Sequence, residues 1–472
     1  MPPGRVAIHD HLRLLSQRRP APDRRRLARS RPRPGGPPAD DLRRPRSGRL
    51  LKNPEKVLTK WSQTSDITIV SYLSSSFYLI NNPLIARDLL IKYEENLSKG
   101  TFFEIARESI GNGTLLADEP EHGIRLDAIK NVFRSKEIEE YVSDFYNLSS
   151  QTIQNVIDKE SVDIRKISQD FTLQAAMLTL FKSKAETPTN QFQIDFNLET
   201  EYLTATRLLT RVIEKIELSD RKSRRPYETV VKFVVSHMIH LFSYRLRRRA
   251  ESLHSANMRN FAEDLINAPS SVSKDETDLL FYLKQAQAGN KDFWNADAQV
   301  DEILTVLLAG HETTANTLAW VIIETTKAGM TPIPVQSIDQ IIFETLRLHP
   351  PAWILPRQVN KTIMIDEIEI PTGANVLISP YIYHRMDSYF PDPLRFDPSR
   401  WDNVQIKDAP AAYLPFGAGG RGCIGQRFAL AEMREFLTKF ALTGPWQLSG
   451  SSPKEEFLLT LRPEGCPTLI KR

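Results

Sequence analysis

A cysteine in a glycine-rich loop, followed at once by an amphipathic helix, sets the narrowest limits on the fold of this chain. The segment PFGAGGRGCIGQRFALAEMREF covers residues 415–436. Cys423 lies where the helix begins, and the free N–H groups and the dipole of a helix N-terminus stabilise a thiolate. Gly417 and Gly425 have no side chains, so a flat cofactor could lie against the backbone. A lone cysteine is more often an inert core residue, but this setting favours a sulfur ligand.

The positive charge of the chain is concentrated at its N-terminus. The formal net charge is +4, and residues 1–50 contain 14 Arg, no Lys and 4 Asp, so that segment carries +10 and the remainder −6. The same segment holds nine of the 31 prolines. It has few residues that could build a core and is predicted to be a disordered Arg/Pro-rich tail. The basic charge therefore does not indicate a nucleic-acid-binding domain, and no nucleic-acid partner is predicted.

The cysteine count and the hydropathy bear on compartment and membrane contact. Two cysteines, Cys423 and Cys466, are too few for a disulfide framework or a four-thiolate metal site, so a reducing compartment is the default. No run approaches the roughly 18 apolar residues of a membrane span, and no signal-peptide core is present. The location is therefore not predicted; a mispredicted N-terminus would make association with the endoplasmic reticulum membrane the expectation. The run YRLRRRA at 244–250 could contact anionic lipid, but a solvated helix is the better interpretation.

Beyond the tail, residues 51–472 have the periodicity of one mainly helical domain. Short strands rich in β-branched and aromatic residues are predicted at Ile67–Tyr72 and Ser76–Ile80. From there to about residue 327, apolar residues at three- and four-residue spacing predict helices. A Pro-rich stretch with short strands follows at 350–393, and the chain closes with the helix after the cysteine and a hairpin. The sequence therefore predicts a mainly α fold with a small β part in a single large domain.

The cysteine loop resembles the haem-binding signature of the cytochrome P-450 family. The pattern Phe416-x-x-Gly419-x-Arg421-x-Cys423-x-Gly425 is filled at every fixed position. The resemblance implies the cytochrome P-450 fold and haem b, iron protoporphyrin IX, as cofactor. It implies that the Cys423 thiolate is the axial ligand of the iron, that Phe416 packs near the ligand loop and that Arg421 reaches a haem propionate. Thiolate ligation directs electron density onto iron and favours O–O cleavage.

The segment DEILTVLLAGHETTANTLAWVIIETTKAG, 301–329, is a long apolar helix with a polar band at its centre. A glycine and hydroxyls in mid-helix lower helix stability by about 1 kcal/mol and favour a local kink, although a tolerated polar face is the alternative. The band resembles the family's A/G-G-x-D/E-T-T segment. The resemblance implies that Ala309 contacts the cofactor, that Thr313 hydrogen-bonds dioxygen and that Glu312 relays protons. His311 is expected to be incidental.

Two further segments resemble the structural core of the family. Glu344 and Arg347 match its E-x-x-R helix and share a helical face, although such a pair alone is usually solvated surface charge. Pro398–Trp401 matches P-x-R-F/W, which implies that Arg400 completes a structural triad. In WILPRQ, Arg357 stands where the family has a propionate-binding basic residue.

One departure concerns the propionates. Residues 111–133 resemble the loop and helix that usually bring a Trp or His and an Arg to them. His122 fits this pattern. The second basic position is occupied by Leu126, with Arg125 one residue early, so either haem binding is weaker or Arg125 substitutes through another rotamer.

A second departure is the short interval of 24 positions from Trp320 to Glu344. The family usually runs roughly twice as far, with an additional helix. Here TKAGMTPIPVQ is a short Pro-rich link, so either that helix is dispensable or an exon has been lost from the gene.

The positions that form the substrate pocket in this family are apolar here, which predicts a hydrophobic small-molecule substrate. They are Phe102, Phe103, Val306, Ala309, Trp353 and Ile354, each of which could equally be a core residue. No flavin or iron–sulfur module is evident, so electrons are expected from an NADPH-cytochrome reductase or a ferredoxin-type donor. Four basic residues beside the cysteine loop are candidates for its docking surface or for a solvated face: Lys130, Arg134, Arg427 and Arg434.

Three functions are compatible with these residues. The first is a haem-thiolate monooxygenase that inserts one atom of O₂ into a hydrophobic molecule, by analogy in secondary metabolism, and Glu312 with Thr313 favours it. The second is a haem-thiolate isomerase or dehydratase that needs no reductase, against which the same acid–alcohol pair argues. The third is an inactive haem binder from a truncated gene, suggested by the short link and the Arg-rich tail.

Overall fold

A computed structural model of the chain describes residues 54–63, 65–72, 75–100, 103–182, 191–195, 197, 254–268, 278–365, 367–450 and 452–471. The predicted tail at 1–50, the pocket residue Phe102 and the basic run at 244–250 lie outside these residues. Within the same ranges, none of the helices combines the length and the apolar composition that a bilayer crossing requires.

The described structure is mainly helical, as predicted. Residues 254–267 are also helical, in addition to eleven helices that are numbered here in chain order. They are α1 Pro54–Ser62, α2 Pro83–Lys92, α3 Glu104–Ile110, α4 Glu121–Ile129, α5 Ser135–Ile157, α6 Ile164–Leu180, α7 Leu279–Gly289, α8 Ala296–Lys327, α9 Ile338–Leu348, α10 Pro380–Tyr383 and α11 Gln426–Phe440.

The β part consists of small sheets. Their strands are β1 Ile67–Tyr72, β2 Ser75–Ile80, β3 Leu97–Ser98, β4 Ser161–Asp163, β5 Leu355–Val359, β6 Ile363–Ile365, β7 Ile368–Ile370, β8 Asn375–Ile378, β9 Trp446–Leu448, β10 Lys454–Phe457, β11 Leu461–Glu464 and β12 Thr468–Lys471. The predicted strand at 67–72 is confirmed, and the second strand begins one residue earlier than predicted. The largest sheet has the order β1-β2-β8-β5-β3, and the chain end forms the β10–β11 hairpin.

The pairing of β3 with β5 brings distant parts of the chain together. Leu97 pairs with Val359 and Ser98 with Gln358 in antiparallel register. The residue that follows β3, Lys99, therefore lies beside the strand that carries Arg357. This pairing joins residues that are about 260 positions apart in the sequence.

The helix α8 forms the centre of the core. Asn295 caps it through a side-chain oxygen that accepts from the amide of Ala298, so it begins before the predicted residue 301. It is buried on every side along most of its 32 residues, which is typical of a helix that runs through a protein core. It packs against α6, while α11 packs against α5 through edge-to-face contacts such as Phe145 with Phe428, whose ring centroids are 5.1 Å apart.

The predicted E-x-x-R pair is a fully buried network. Arg347 donates from two nitrogens to the two carboxylate oxygens of Glu344, each at 2.8 Å. Trp401 Nε1 donates to Glu344 at 2.9 Å, and Arg400 Nε lies 3.3 Å from the same carboxylate. Arg347 also donates to the carbonyl oxygens of three residues on the following loops: His384, Pro393 and Arg395. This network fastens α9 to the segment that leads into the cysteine loop.

The interval between α8 and α9 contains no further α-helix; every residue of it is described. A short 3₁₀ turn at Val335–Ser337 leads directly into α9. The link still contributes to the core, because Ile333 is buried. Trp320 on α8 stacks on His349 at the end of α9, with ring centroids 3.8 Å apart. The core therefore closes across the short link. Residues Arg44–Arg472 form one compact unit.

Candidate active site

The glycine-rich loop folds back on itself to place Cys423 just before α11. The amide of Cys423 donates to the carbonyl oxygen of Phe416 at 2.8 Å. Gly417 and Gly419 have φ values of 69° and 74°, which L side chains rarely adopt. At Gly419 a Cβ atom would also overlap the carbonyl oxygen of Leu90. The glycines therefore permit both the turn and its close approach to α2. At Gly425, a Cβ would lie 3.9 Å from the Cys423 sulfur.

The Cys423 thiol is accessible, yet it lies deep enough for desolvation to dominate its acidity. Burial raises the pKa of Cys423 to about 11, and the hydrogen bond from the Gly425 amide opposes this shift. In the free protein, burial therefore outweighs the stabilisation of the thiolate by the helix N-terminus. A bound metal cation deprotonates a coordinating thiol outright. The site offers a single sulfur donor, and the glycines around it leave room for a flat cofactor to approach. This arrangement fits haem iron, which a thiolate ligates in the cytochromes P-450.

A recess lined by three cations lies beside this loop. We call it the cationic recess; it is lined by Leu90, Glu94, Leu97, Ser98, Lys99, Arg357 and Arg421. Burial and the neighbouring charge of Arg421 lower the pKa of Arg357 to about 10. Burial, followed by the charges of Arg357 and Arg421, lowers the pKa of Lys99 well below its usual range. Buried like charges are costly unless an anion neutralises them. The recess therefore fits the carboxylates of haem propionates.

The structure places Arg357 and Arg421, two of the residues predicted to contact the propionates, in the lining of one recess, and His122 lies close enough to feel the charge of Arg421. Nδ1 of His122 lies 2.6 Å from Glu119 Oε1. Burial lowers the pKa of His122, and the positive charge of Arg421 lowers it further. Arg421 donates to the carbonyl oxygen of Ala117 at 2.5 Å. Sequence reasoning missed Lys99, because nothing local distinguishes this lysine and its place depends on the β3–β5 pairing.

In contrast, Arg125 is not among the residues that line the cationic recess. Its guanidinium lies 3.4 Å from Glu302 on α8 and 2.8 Å from Glu121, and it donates to the carbonyl oxygen of Ala298 at 3.2 Å. In this structure the Arg125 guanidinium is therefore bound to residues of α4 and α8 and not to those of the cationic recess.

One face of α8 is open in the middle of the helix. Between residues 302 and 326, the only residues that are not buried are Ala309, Gly310 and Thr313. Residues three and four apart share a helical face, so these open positions coincide with the predicted oxygen-binding band. Thr313 Oγ1 donates to the carbonyl oxygen of Ala309 at 2.7 Å.

Glu312 lies on a buried side of the same helix. Its Oε1 accepts a hydrogen bond of 2.8 Å from Thr460 Oγ1, in the turn of the β10–β11 hairpin. Thr460 in turn accepts from Asn316 Nδ2 at 3.0 Å. Burial raises the pKa of Glu312, whereas the Thr460 hydrogen bond and the charge of Arg462 oppose this. The carboxyl group is therefore biased towards its neutral form, which holds a proton.

His311 belongs to the core packing. Its Nδ1 lies 2.7 Å from Thr172 Oγ1 on α6. Burial lowers the pKa of His311 to about 4, so it is neutral at physiological pH. Both observations agree with its expected incidental role.

Comparison with known proteins decides the family. The sequence model of the family described as cytochrome P450, written P-450 here, matches residues 47–328 and 335–463. The chain belongs to the cytochrome P-450 family. The break in the match, 329–334, falls in the short link between α8 and α9, where this cytochrome P-450 departs from the family pattern.

Two relatives are bacterial oxygenases. The cyclooctat-9-en-7-ol 5-monooxygenase of Streptomyces melanosporofaciens is 26% identical over 422 residues, 84% of this chain and 86% of that protein. The pentalenene oxygenase of Streptomyces avermitilis is 24% identical and covers 81% of this chain and 84% of its own length. This cytochrome P-450 is accordingly an oxidoreductase of the monooxygenase class.

Solved structures agree on the fold. CYP175A1 from Thermus thermophilus superposes with a TM-score of 0.67 at 22% identity, covering 90% of this chain and 96% of that one. The retinoic-acid-bound cyanobacterial CYP120A1 has a TM-score of 0.69 at 19% identity, covering 89% and 93%. At these identities the likeness shows the fold, and the predicted cytochrome P-450 fold is confirmed.

The predicted pocket residues of this cytochrome P-450 differ in burial. Val306 on α8 is buried, whereas Phe103, Trp353 and Ile354 are half-buried. Trp353 Nε1 donates to the carbonyl oxygen of Leu458 at 3.0 Å, which ties this segment to the hairpin that carries Thr460.

Proposed function

We propose that this protein is a haem-thiolate monooxygenase that inserts one atom of O₂ into a hydrophobic small molecule of secondary metabolism. The observation that carries the proposal is the combination of a sulfur donor at Cys423 with an open face on α8, beside which lies the buried carboxyl group of Glu312. When bound, haem supplies the oxygen-activating and C–H-oxidising chemistry. The chain's own residues ligate the cofactor, hold its carboxylates, exclude water and move protons.

The substrate class follows from the pocket and the relatives. Phe103, Val306, Trp353 and Ile354 offer apolar and aromatic surface with few hydrogen-bond donors, which suits a hydrocarbon skeleton. The two Streptomyces relatives are named for a cyclooctat-9-en-7-ol and for pentalenene. We therefore favour a polycyclic terpene or terpene alcohol as substrate.

Electrons are proposed to come from a separate NADPH-dependent reductase or ferredoxin-type protein. Of the predicted docking residues, Lys130 and Arg434 are paired on the protein itself, with Asp127 at 2.6 Å and Asp339 at 2.5 Å. Arg427 donates to Ser135 Oγ. These pairs reduce the net positive charge that an acidic partner would meet on this surface.

The proposal is tested with the purified protein by two measurements. The reduced, carbon-monoxide-bound spectrum reports whether a thiolate ligates iron. Turnover with a reductase, NADPH, O₂ and cyclooctat-9-en-7-ol or pentalenene as probes reports oxygen insertion, detected with ¹⁸O₂. Haem uptake without any O₂-dependent product across a terpene panel, together with reductase-independent rearrangement of a peroxide, would favour the isomerase instead.

Thr313→Ala is expected to uncouple NADPH use from product formation. Thr313 provides the hydroxyl on the open face of α8, so its loss removes a group that orders water or oxygen there without removing the cofactor. The ratio of product to NADPH should fall by about tenfold or more, while hydrogen peroxide rises. Thr317→Ala is the matched control, because Thr317 donates to the Thr313 carbonyl oxygen at 2.9 Å in the same manner but is buried. Unchanged coupling in Thr313→Ala would contradict the role.

Thr460→Val is expected to move the alkaline limb of the pH–activity profile to higher pH. The Thr460 hydroxyl donates to Glu312 and stabilises its carboxylate, so removing it raises the Glu312 pKa beyond the shift that burial already causes. A group that delivers protons in its neutral form loses activity as pH rises through its pKa. Thr460→Ser keeps the hydroxyl and should retain the wild-type profile. A limb that stays in place or moves to lower pH in Thr460→Val would rule out this coupling.

A further inference from the structure

The cationic recess contains a lysine, Lys99, that the family pattern does not include. The basic residue that the family usually has on α4 is missing from this chain. The usual second basic residue on α4 would stand four positions after His122, and Leu126 occupies that position. The neighbouring Arg125 is held by Glu302 and Glu121 through its guanidinium. The recess therefore lacks the cation that α4 would ordinarily contribute.

Lys99 is held at the recess by its backbone. Its amide donates to Asp118 Oδ1 at 2.7 Å. The preceding residue pairs with Gln358 on β5. The next residue, Gly100, has a φ of 65°, and a Cβ there would press against the Gln358 side chain. The strand pairing before Lys99 and the tight turn after it fix the position of the Lys99 backbone, from which the side chain extends.

The Lys99 side chain is 7% exposed and shares the recess with Arg357 and Arg421. Its Nζ lies 5.5 Å from the centroid of the Phe103 ring. Among the described residues, no carboxylate lies within ion-pair distance of the ammonium group. Arg357 likewise has none there, whereas Arg421 lies 3.4 Å from Glu119. A buried ammonium without an anion is strongly unfavourable, so the arrangement is suited to a bound carboxylate.

We propose that Lys99 binds a haem propionate in place of the basic residue that the family carries on α4. The inference rests on the proposed haem cofactor. Haem brings two propionates, and the recess then sets Lys99, Arg357 and Arg421 against those two carboxylates, with Glu94 also in the recess lining and Glu119 beside Arg421. An ammonium group on a flexible four-carbon stem makes a point-charge contact that does not need the geometry of the missing arginine.

The test is the rate of haem loss from the holoenzyme to excess apomyoglobin, followed by absorbance. Lys99→Met is expected to lose haem about tenfold faster than wild type, since a charge-assisted hydrogen bond to a carboxylate is removed. Lys99→Arg should stay near the wild-type rate. Lys92→Met is the matched control, because Lys92 is an exposed lysine nearby that pairs with Asp88 at 2.8 Å, and it should not change the rate.

A second variant separates a propionate contact from a local folding defect. Leu126→Arg restores the family's cation from a different element, so Lys99→Met/Leu126→Arg is expected to recover slow haem loss. The reduced, carbon-monoxide-bound band of Lys99→Met should keep its thiolate position, because Cys423 is untouched.

The possible results separate this inference from the proposed function. Haem loss from Lys99→Met at the wild-type rate, or fast loss that neither Lys99→Arg nor Leu126→Arg relieves, overturns the Lys99 assignment and leaves the monooxygenase proposal standing. A wild-type protein that binds no haem overturns the proposed function itself.

Discussion

Cys423→Ala is expected to abolish oxygen insertion and to remove the thiolate band from the reduced, carbon-monoxide-bound spectrum. The sulfur is the donor that the glycine-rich loop presents just before α11, and no backbone or side-chain group in the loop can replace it. Product formation should fall below detection in the turnover assay with NADPH and reductase. Cys423→His is expected to give a coloured protein with an imidazole-type spectrum and no oxygenase activity, if the loop admits the larger ring.

Cys466→Ala is the matched control for the ligand assignment. Cys466 lies between β11 and β12, and burial raises its pKa, with the charges of Arg165 and Asp163 acting in opposite directions. It is a half-buried cysteine in a different part of the fold, so its removal should leave both the spectrum and the activity unchanged. Undiminished hydroxylation by Cys423→Ala would refute the assignment of the ligand.

The chemistry at Cys423 depends on the cofactor more than the sequence suggests. A helix N-terminus favours a thiolate, but burial raises the Cys423 pKa to about 11. Without a cation the sulfur is a neutral thiol at physiological pH. The glycine-rich loop therefore positions the Cys423 sulfur and partly desolvates it, and metal binding would deprotonate it. Since ligation releases a proton, assembly of the holoprotein should be favoured at higher pH.

The parts of the site that could be predicted from the sequence are those fixed by local chain geometry. The cysteine loop and α11 are continuous in sequence, so their glycines and apolar spacing identify both. The band Ala309–Thr314 is likewise one helical segment, and the structure opens Ala309 and Thr313 on a single face. The strand Ile67–Tyr72 follows from its β-branched residues alone.

The parts that could not be predicted depend on contacts between distant elements. Lys99 reaches Arg357 only because β3 pairs with β5, and Thr460 reaches Glu312 only because the terminal hairpin packs on α8. Arg125 illustrates the reverse case. Its position in the sequence suggested that Arg125 contacts a haem propionate, but its guanidinium pairs with the buried carboxylate of Glu302 on α8. The spacing of residues along α4 predicts which of them share a helical face. The charged groups of the helix packed against that face, here Glu302 of α8, determine which partner Arg125 binds.

The short link between α8 and α9 does not disrupt the proximal core. The family match continues at residue 335, and three residues later α9 begins. The carboxylate of Glu344 then receives donors from Arg347, Trp401 and Arg400. The hypothesis of an inactive product from a truncated gene therefore loses its structural support in this region, because the network that positions the cysteine loop is complete.

Arg347→Ala is expected to destabilise the fold more than any other substitution in that network. The change leaves the fully buried Glu344 carboxylate without its bidentate partner and leaves the carbonyl oxygens of His384, Pro393 and Arg395 without the donors seen here. Breaking a buried ion pair by removing one partner costs about 3–5 kcal/mol, against a total stability of about 5–15 kcal/mol for a typical protein. The thermal unfolding midpoint should fall by about 3–6 °C, with loss of bound haem on the same transition.

Arg347→Lys and Arg395→Ala distinguish the geometry of the network from its charge. Lysine keeps the positive charge but cannot reproduce the two parallel hydrogen bonds to Glu344, so its melting point should lie between those of wild type and Arg347→Ala. The Arg395 side chain is exposed, and Arg395→Ala keeps the carbonyl oxygen that Arg347 contacts, so its melting point should match wild type. A melting point of Arg347→Ala within a degree or two of wild type would mean that the buried pair does not hold the proximal core together and that the remaining donors to Glu344, from Arg400 and Trp401, are sufficient.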